Sequence, residues 1–140
     1  MILERFKVPA KDQVRVSEAA LRRTVTQIFE KLGLSKEDAA EGADVLTMTD
    51  LRGVETHGVS NMLRQYVRDY RAGKLDPRPG IKVVRQSPGT AVIDAERRLG
   101  IMVGPKAMRL AIEKARAVGV GAVTVYNSGH FGAIGHYAMQ

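Results

Sequence analysis

Two of the three histidines in this 140-residue chain, together with one arginine, stand in stretches flanked by glycine. The first is Asp50-Leu51-Arg52-Gly53-Val54-Glu55-Thr56-His57-Gly58-Val59-Ser60, the second Asn127-Ser128-Gly129-His130-Phe131-Gly132. Histidine has the ordinary pKa nearest neutrality, and glycine lets a backbone turn sharply or come close to a ligand. A guanidinium holds a carboxylate through two parallel hydrogen bonds, to which a nearby imidazole adds a donor. The combination points to an anionic substrate undergoing proton transfer, with His130 as candidate acid and base and with Arg52 and His57 as candidate holders of a small 2-oxo or 2-hydroxy acid. Each residue has a structural alternative at this point. His130 caps the next helix or bonds a backbone carbonyl, Arg52 pairs with Asp50 or Glu55, and His57 caps the third helix.

The surrounding pattern must position these loops. Ser17 precedes an apolar stripe at helical spacing, Leu21, Val25, Ile28, Phe29 and Leu32, which predicts a helix over residues 18–32 ending at Gly33. Ser35, with Asp38 three residues on, opens a second helix reaching about Thr49. Met62, Leu63, Tyr66, Val67 and Tyr70 form a third stripe that stops at Gly73. Residues 74–80, with two prolines and a glycine, are a connector and the expected boundary between a helical segment, 1–73, and the start of an α/β core, 74–140. Ile81–Gln86 and Ala91–Asp94 read as a hairpin whose Pro88-Gly89 centre suits a type II turn. Pro105 opens a helix over 106–118, and Val120–Tyr126 reads as a buried strand running straight into the second loop. A further helical pattern with Ala133, Ile134, Tyr137 and Ala138 is cut off at Gln140, so the chain is expected to be truncated. The fold class expected is α+β, a helical layer followed by a hairpin and a strand-helix-strand-helix unit. Loops between the end of a strand and a helix are common ligand sites in such proteins.

Composition excludes several alternatives. Without cysteine there are no disulfides, thiolate nucleophiles or cysteine zinc sites. A net charge of +7 invites a nucleic-acid reading, but no basic run exceeds two residues and aromatics make up only 5%. Interspersed signs describe a solvated surface, so neither nucleic acid nor membrane is expected as a partner. The opening Met1–Lys7 is too charged for a secretory signal, and a cytoplasmic protein is expected. Gly100–Lys106 fails as a phosphate loop, and no Gly-x-Gly-x-x-Gly follows a strand. His130 and His136 are six residues apart, which turns them off a common helix face and argues against a zinc pair.

Taken together, Asp50–Gly58, the Tyr66…Gly73…Pro77 continuation, Ala115–Val120 and Asn127–Gly132 resemble the type-2 malate/L-lactate dehydrogenases, a family that includes ureidoglycolate, sulfolactate and diketogulonate-type oxidoreductases and a cyclic-imine reductase. The resemblance runs from Val14 to Gln140. It implies hydride transfer between NAD or NADP and a 2-oxo/2-hydroxy acid on a non-Rossmann fold, in a homodimer with its site near the subunit interface. It places His130 on the family's catalytic acid/base, Arg52 and His57 at the substrate carboxylate, and Gly129, His130, Phe131 and Gly132 near the nicotinamide. It also implies that members continue well beyond the equivalent of Gln140, which leaves a rival expectation: a non-catalytic truncated or split remnant that needs a partner chain.

Overall fold

The computed structural model describes residues 9–78 and 80–140; the opening Met1–Lys7 and Pro79 of the connector lie outside the described residues. Three helices come first, α1 (Glu18–Lys31), α2 (Lys36–Leu51) and α3 (Val59–Arg71). The Ser35 hydroxyl accepts the Asp38 N–H at 3.1 Å, which satisfies one of the donors a helix start leaves open, whereas Ser17 has extended backbone but makes no such side-chain bond. Small residues on α2 let its neighbours approach closely. A Cβ added at Gly42 would stand 2.4 Å from the end of Met102 and 3.2 Å from the Phe29 ring. Val25, Phe29, Ala39, Ala43, Val45, Leu46, Leu63 and Tyr66 close the core of this layer.

Beyond the connector lie β1 (Lys82–Gln86), β2 (Thr90–Asp94), α4 (Gly100–Val118), β3 (Ala122–Tyr126) and the single turn α5 (Gly135–Ala138). β2 is central, antiparallel to β1 across an irregularity between Val83 and Arg85, and parallel to β3, with α4 as the crossover. The architecture is therefore the α+β arrangement expected.

Three local expectations change. Helix α4 starts at Gly100, six residues before the predicted 106, with Pro105 inside it. Burial of Leu99, Ile101, Met102 and Val103 outweighs the one intrahelical bond that Pro105 cannot donate. Gly89 does not take the positive φ that a type II turn demands; Ser87 closes the turn by donating its N–H to the Thr90 carbonyl and accepting the Thr90 N–H on its hydroxyl. Strand β3 is half exposed rather than buried, because α4 covers one face of the sheet and Ala122, Thr124 and Tyr126 point to the open one.

Helix α4 belongs to two apolar clusters at once. Ile101 and Met102 join the helical layer, while Val103 and Ala107 pack with Ile93, Ala95, Val123 and Val125 on the sheet. An ion pair fixes the first contact: Lys106 of α4 reaches the carboxylate of Asp38 on α2, and Asp38 is only 4% exposed. Removing one partner of a buried pair leaves the other charged and unsatisfied. Lys106→Met, which keeps the side chain's apolar length, is therefore expected to cost about 3 kcal/mol in urea unfolding, and the double variant with Asp38→Asn to recover part of the loss.

Candidate functional site

The first site loop leaves α2 at Arg52 and turns at Gly53, where φ is +74°. A short 3-10 turn, Glu55–His57, then leads into α3. Asp50 anchors this loop. Its Oδ2 accepts the Val59 N–H at 2.9 Å, filling the capping role for α3, while its Oδ1 is buried with no hydrogen-bond partner in the structure. Gly58 lies directly over that carboxylate: a Cβ there would fall 1.5 Å from Oδ1. Burial raises the Asp50 pKa above the ordinary carboxylate value, opposed by the Val59 bond and assisted by Glu55.

The second loop leaves β3 through Asn127, a non-glycine residue at positive φ (53°). Its partner segment after β2 holds two more, Glu96 (48°) and Arg97 (64°). Hydrogen bonds tie the two segments together: Ala95 N–H to the Tyr126 carbonyl at 3.0 Å, Arg97 N–H to the Asn127 carbonyl at 2.8 Å, and Gly129 N–H to the Arg98 carbonyl at 2.8 Å. The Asn127 side chain adds a bond to Asp94 at 2.9 Å. Gly129 packs against Leu75 and Leu99, behind the loop, and His130 follows on the open side.

The loops meet over an open cavity of about 770 Å³. Arg52 and His57 line it from one side, His130, Phe131 and Gly132 from the other, and Met48, Ala133, Ile134 and Met139 make much of the rest apolar. The imidazoles of His57 and His130 stack with centroids 5.5 Å apart and planes 22° from parallel. His57 Nδ1 shares a hydrogen bond with the Thr56 hydroxyl at 2.9 Å, and the α3 N-terminus is held by Asp50, so His57 does not cap it. Among the described residues Arg52 pairs with neither Asp50 nor Glu55. His130 does make a local backbone bond, since its Nδ1 accepts the Gly132 N–H at 3.2 Å. The same nitrogen lies 2.8 Å from the Tyr66 hydroxyl. Partial burial first, and the neighbouring His57 second, hold the His130 pKa below its ordinary value near 6.5.

Arg52, His57, His130, Phe131 and Gly132 therefore come together, and Gly129 stands apart from the cavity. Sequence reasoning missed two residues. His136 of α5 lines the cavity, 3.9 Å from Asp44, whereas its spacing from His130 bears only on a zinc pair. Tyr66 was assigned to the apolar stripe of the third helix, where it is indeed 1% exposed, yet its hydroxyl end reaches the site. No group of three or more potential metal ligands occurs among the described residues, and among them no helix is long and apolar enough to cross a membrane.

A helical layer joined to a partly parallel sheet thus brings a strand-end histidine, and an arginine with no carboxylate partner among the described residues, to one cavity. The comparisons with known proteins agree with the motifs: residues 16–140 match the model of the malate/L-lactate dehydrogenase family, and the chain belongs to that family. It is 45% identical over 127 residues to a malate dehydrogenase of Pyrococcus abyssi, covering 91% of this chain and 35% of that protein. With an L-sulfolactate dehydrogenase of Methanocaldococcus jannaschii it shares 44% identity over 117 residues, 84% of this chain and 34% of the relative. The solved malate dehydrogenase of Pyrococcus horikoshii superposes with a TM-score of 0.86 at 43% identity, over 90% of this chain and 36% of the other. The chain thus spans about a third of the length of the curated relatives it matches.

Two stability predictions follow from the loop anchors. Asp50→Ala is expected to cost about 1–2 kcal/mol through loss of the α3 cap, with Asp50→Asn, which keeps an acceptor, costing less. Urea unfolding of both variants checks this. For His130, a native pKa below the ordinary value means that the unfolded chain takes up the proton first on acidification. The ring's contribution to stability is therefore present above the ordinary value and is lost as pH falls toward the native one. Unfolding measured from about pH 8 down to about pH 5 should show this acid sensitivity, and His130→Gln should lose that part of it.

Proposed function

We propose that this chain carries the proton-transfer and carboxylate-holding part of an oxidoreductase that interconverts a small 2-hydroxy acid and its 2-oxo acid, of the malate/lactate type, with NAD or NADP. The convergence of Arg52, His57 and His130 on one cavity carries the reading. The Arg52 guanidinium, which has no carboxylate partner among the described residues, can take a substrate carboxylate through two hydrogen bonds, and His57 lines the same cavity. His130 gives a proton to the substrate's carbonyl oxygen in reduction and takes it from the hydroxyl in oxidation. A nicotinamide, when bound, supplies or accepts the hydride at the adjacent carbon. The apolar wall of Phe131, Gly132, Ala133 and Ile134 suits a flat, weakly polar ring and would hold that end of the cofactor. The homodimer and the cytoplasmic setting expected from the sequence belong to the same proposal.

One observation favours a complementary reading, in which further polypeptide completes the site. Val120 and Tyr126 beside the open sheet face, and Ile134 and Met139 around the cavity, are all exposed apolar side chains. The covering polypeptide is either continuous with this chain or a separate subunit. The intact mass of the native product, with any polypeptide that copurifies in fixed ratio, distinguishes the two. A product near 15.3 kDa that runs alone and shows no turnover would leave a non-catalytic remnant.

At its native length and assembly, the protein with His130→Ala should keep its fold and lose about 10²–10⁴ in kcat. Retained turnover would remove His130 from the chemistry. Arg52→Lys should chiefly raise KM, because an ammonium cannot make the paired contact, and an unchanged KM would take the substrate carboxylate away from Arg52.

A further inference from the structure

We infer that Tyr66 is a positioning residue for His130: its hydroxyl fixes Nδ1 inward, leaves Nε2 for the substrate, and reverses its hydrogen bond when the ring changes protonation. The inference rests on the reading of His130 as proton donor and acceptor.

The geometry at Nδ1 carries it. Two groups address that one nitrogen, the Gly132 N–H at 3.2 Å and the Tyr66 hydroxyl at 2.8 Å. A backbone N–H can only donate, so in this arrangement Nδ1 presents its lone pair, the Tyr66 O–H also donates to it, and the neutral ring carries its proton on Nε2. Nε2 has no partner among the described residues, and His130 lines the cavity. Tyr66 is held from behind by the helical core, with 1% of its surface exposed, so the anchor cannot swing away with the loop.

Proton transfer needs two other states of the ring. To protonate a carbonyl oxygen, His130 must first gain a second proton, which, with Nε2 already protonated, rests on Nδ1. The imidazolium then carries N–H on both sides. Giving the Nε2 proton to the substrate oxygen breaks that N–H bond, forms the product O–H, and leaves a neutral ring protonated at Nδ1; oxidation runs the same exchange backward. In both of these states Nδ1–H needs an acceptor, which the Gly132 N–H cannot be and which a rotated hydroxyl can. Burial pushes the Tyr66 pKa well above its ordinary value, which keeps the hydroxyl neutral throughout. A carboxylate in its place would hold His130 charged; a hydroxyl serves both states without fixing either. Among the described residues His57 is stacked on the ring and opposes the imidazolium when charged, and Arg52 and His136 line the same cavity wall.

The test is nitrogen NMR of the 140-residue chain with ¹⁵N-labelled histidine, as wild type and Tyr66→Phe. In the wild type at high pH, the His130 shifts should show the proton on Nε2, and the Tyr66 phenol should stay protonated while His130 titrates. The phenylalanine variant keeps the ring in the core and removes only the hydroxyl. A charge-assisted bond to the imidazolium is stronger than one donated to the neutral ring, so the His130 midpoint should fall by about one pH unit. An unchanged midpoint would make Tyr66 merely structural, a raised one would make it a fixed donor, and a wild-type ring protonated on Nδ1 would overturn the tautomer; each ends the inference. The wild-type measurements decide even if the variant fails to fold. Because the readout is the ring itself, this inference can fail while His130→Ala still abolishes turnover, and a His130→Ala variant that keeps turnover overturns the reading of His130 without altering the ring's titration.

Discussion

The hydrogen bond between Tyr66 and His130 joins a helix that belongs to the core to a loop that belongs to the site. The loop is set by a sheet, the helix by a bundle, and nothing local requires the two to arrive at the same place. What makes them do so is α4, which presents one side to α2 and another to β2 and β3. Close packing on both sides leaves little freedom in how the sheet sits against the bundle, because displacing either would open voids around Ile101 and Met102 or Val103 and Ala107. The position of a single imidazole is in this sense a property of the whole core.

The cavity combines two environments with different tasks. Its walls are largely apolar, which weakens solvent competition and strengthens the few charges present. Arg52 is the permanent cation, with His57, His130 and His136 as neighbours that gain charge only on protonation. Burial and the neighbouring His57 disfavour protonation of His130, and an anionic ligand on Arg52 would counter that. On the proposed reading, substrate binding and the readiness of His130 to hold a proton would be coupled electrostatically.

Much of this was legible in the sequence. The three helices, two of them with glycine stops, the hairpin, the helix-linked third strand and the two glycine-flanked loops all follow from periodicity and from residues with special backbone freedom. Arg52, His57 and His130 stand out because they lie in glycine-flanked loops rather than in apolar stripes. Tyr66 does not, since an aromatic at helical spacing is read as core, and its hydroxyl finds a partner 64 positions away that only tertiary structure reveals. Asp50 was seen as a possible mate for Arg52, whereas the chain reversal at Gly53 gives it to the backbone of Val59. The early start of α4 was hidden because a proline reads as a helix opening, and the exposure of β3 because a run of small and branched residues does not show which face is covered.

The loop that carries His130 is stitched on one side to the segment after β2, and that segment in turn accepts the Asp76 N–H on the Arg97 carbonyl. Three stretches distant in sequence thus share one set of backbone bonds, and left-handed conformations at Glu96, Arg97 and Asn127, each costing of order 1–3 kcal/mol, are tolerated within it. A loop so tied has few of its backbone groups left to order when a ligand arrives. A ligand that reaches it surrenders little affinity to ordering the protein, so even a molecule with very few atoms can be held there in a defined orientation.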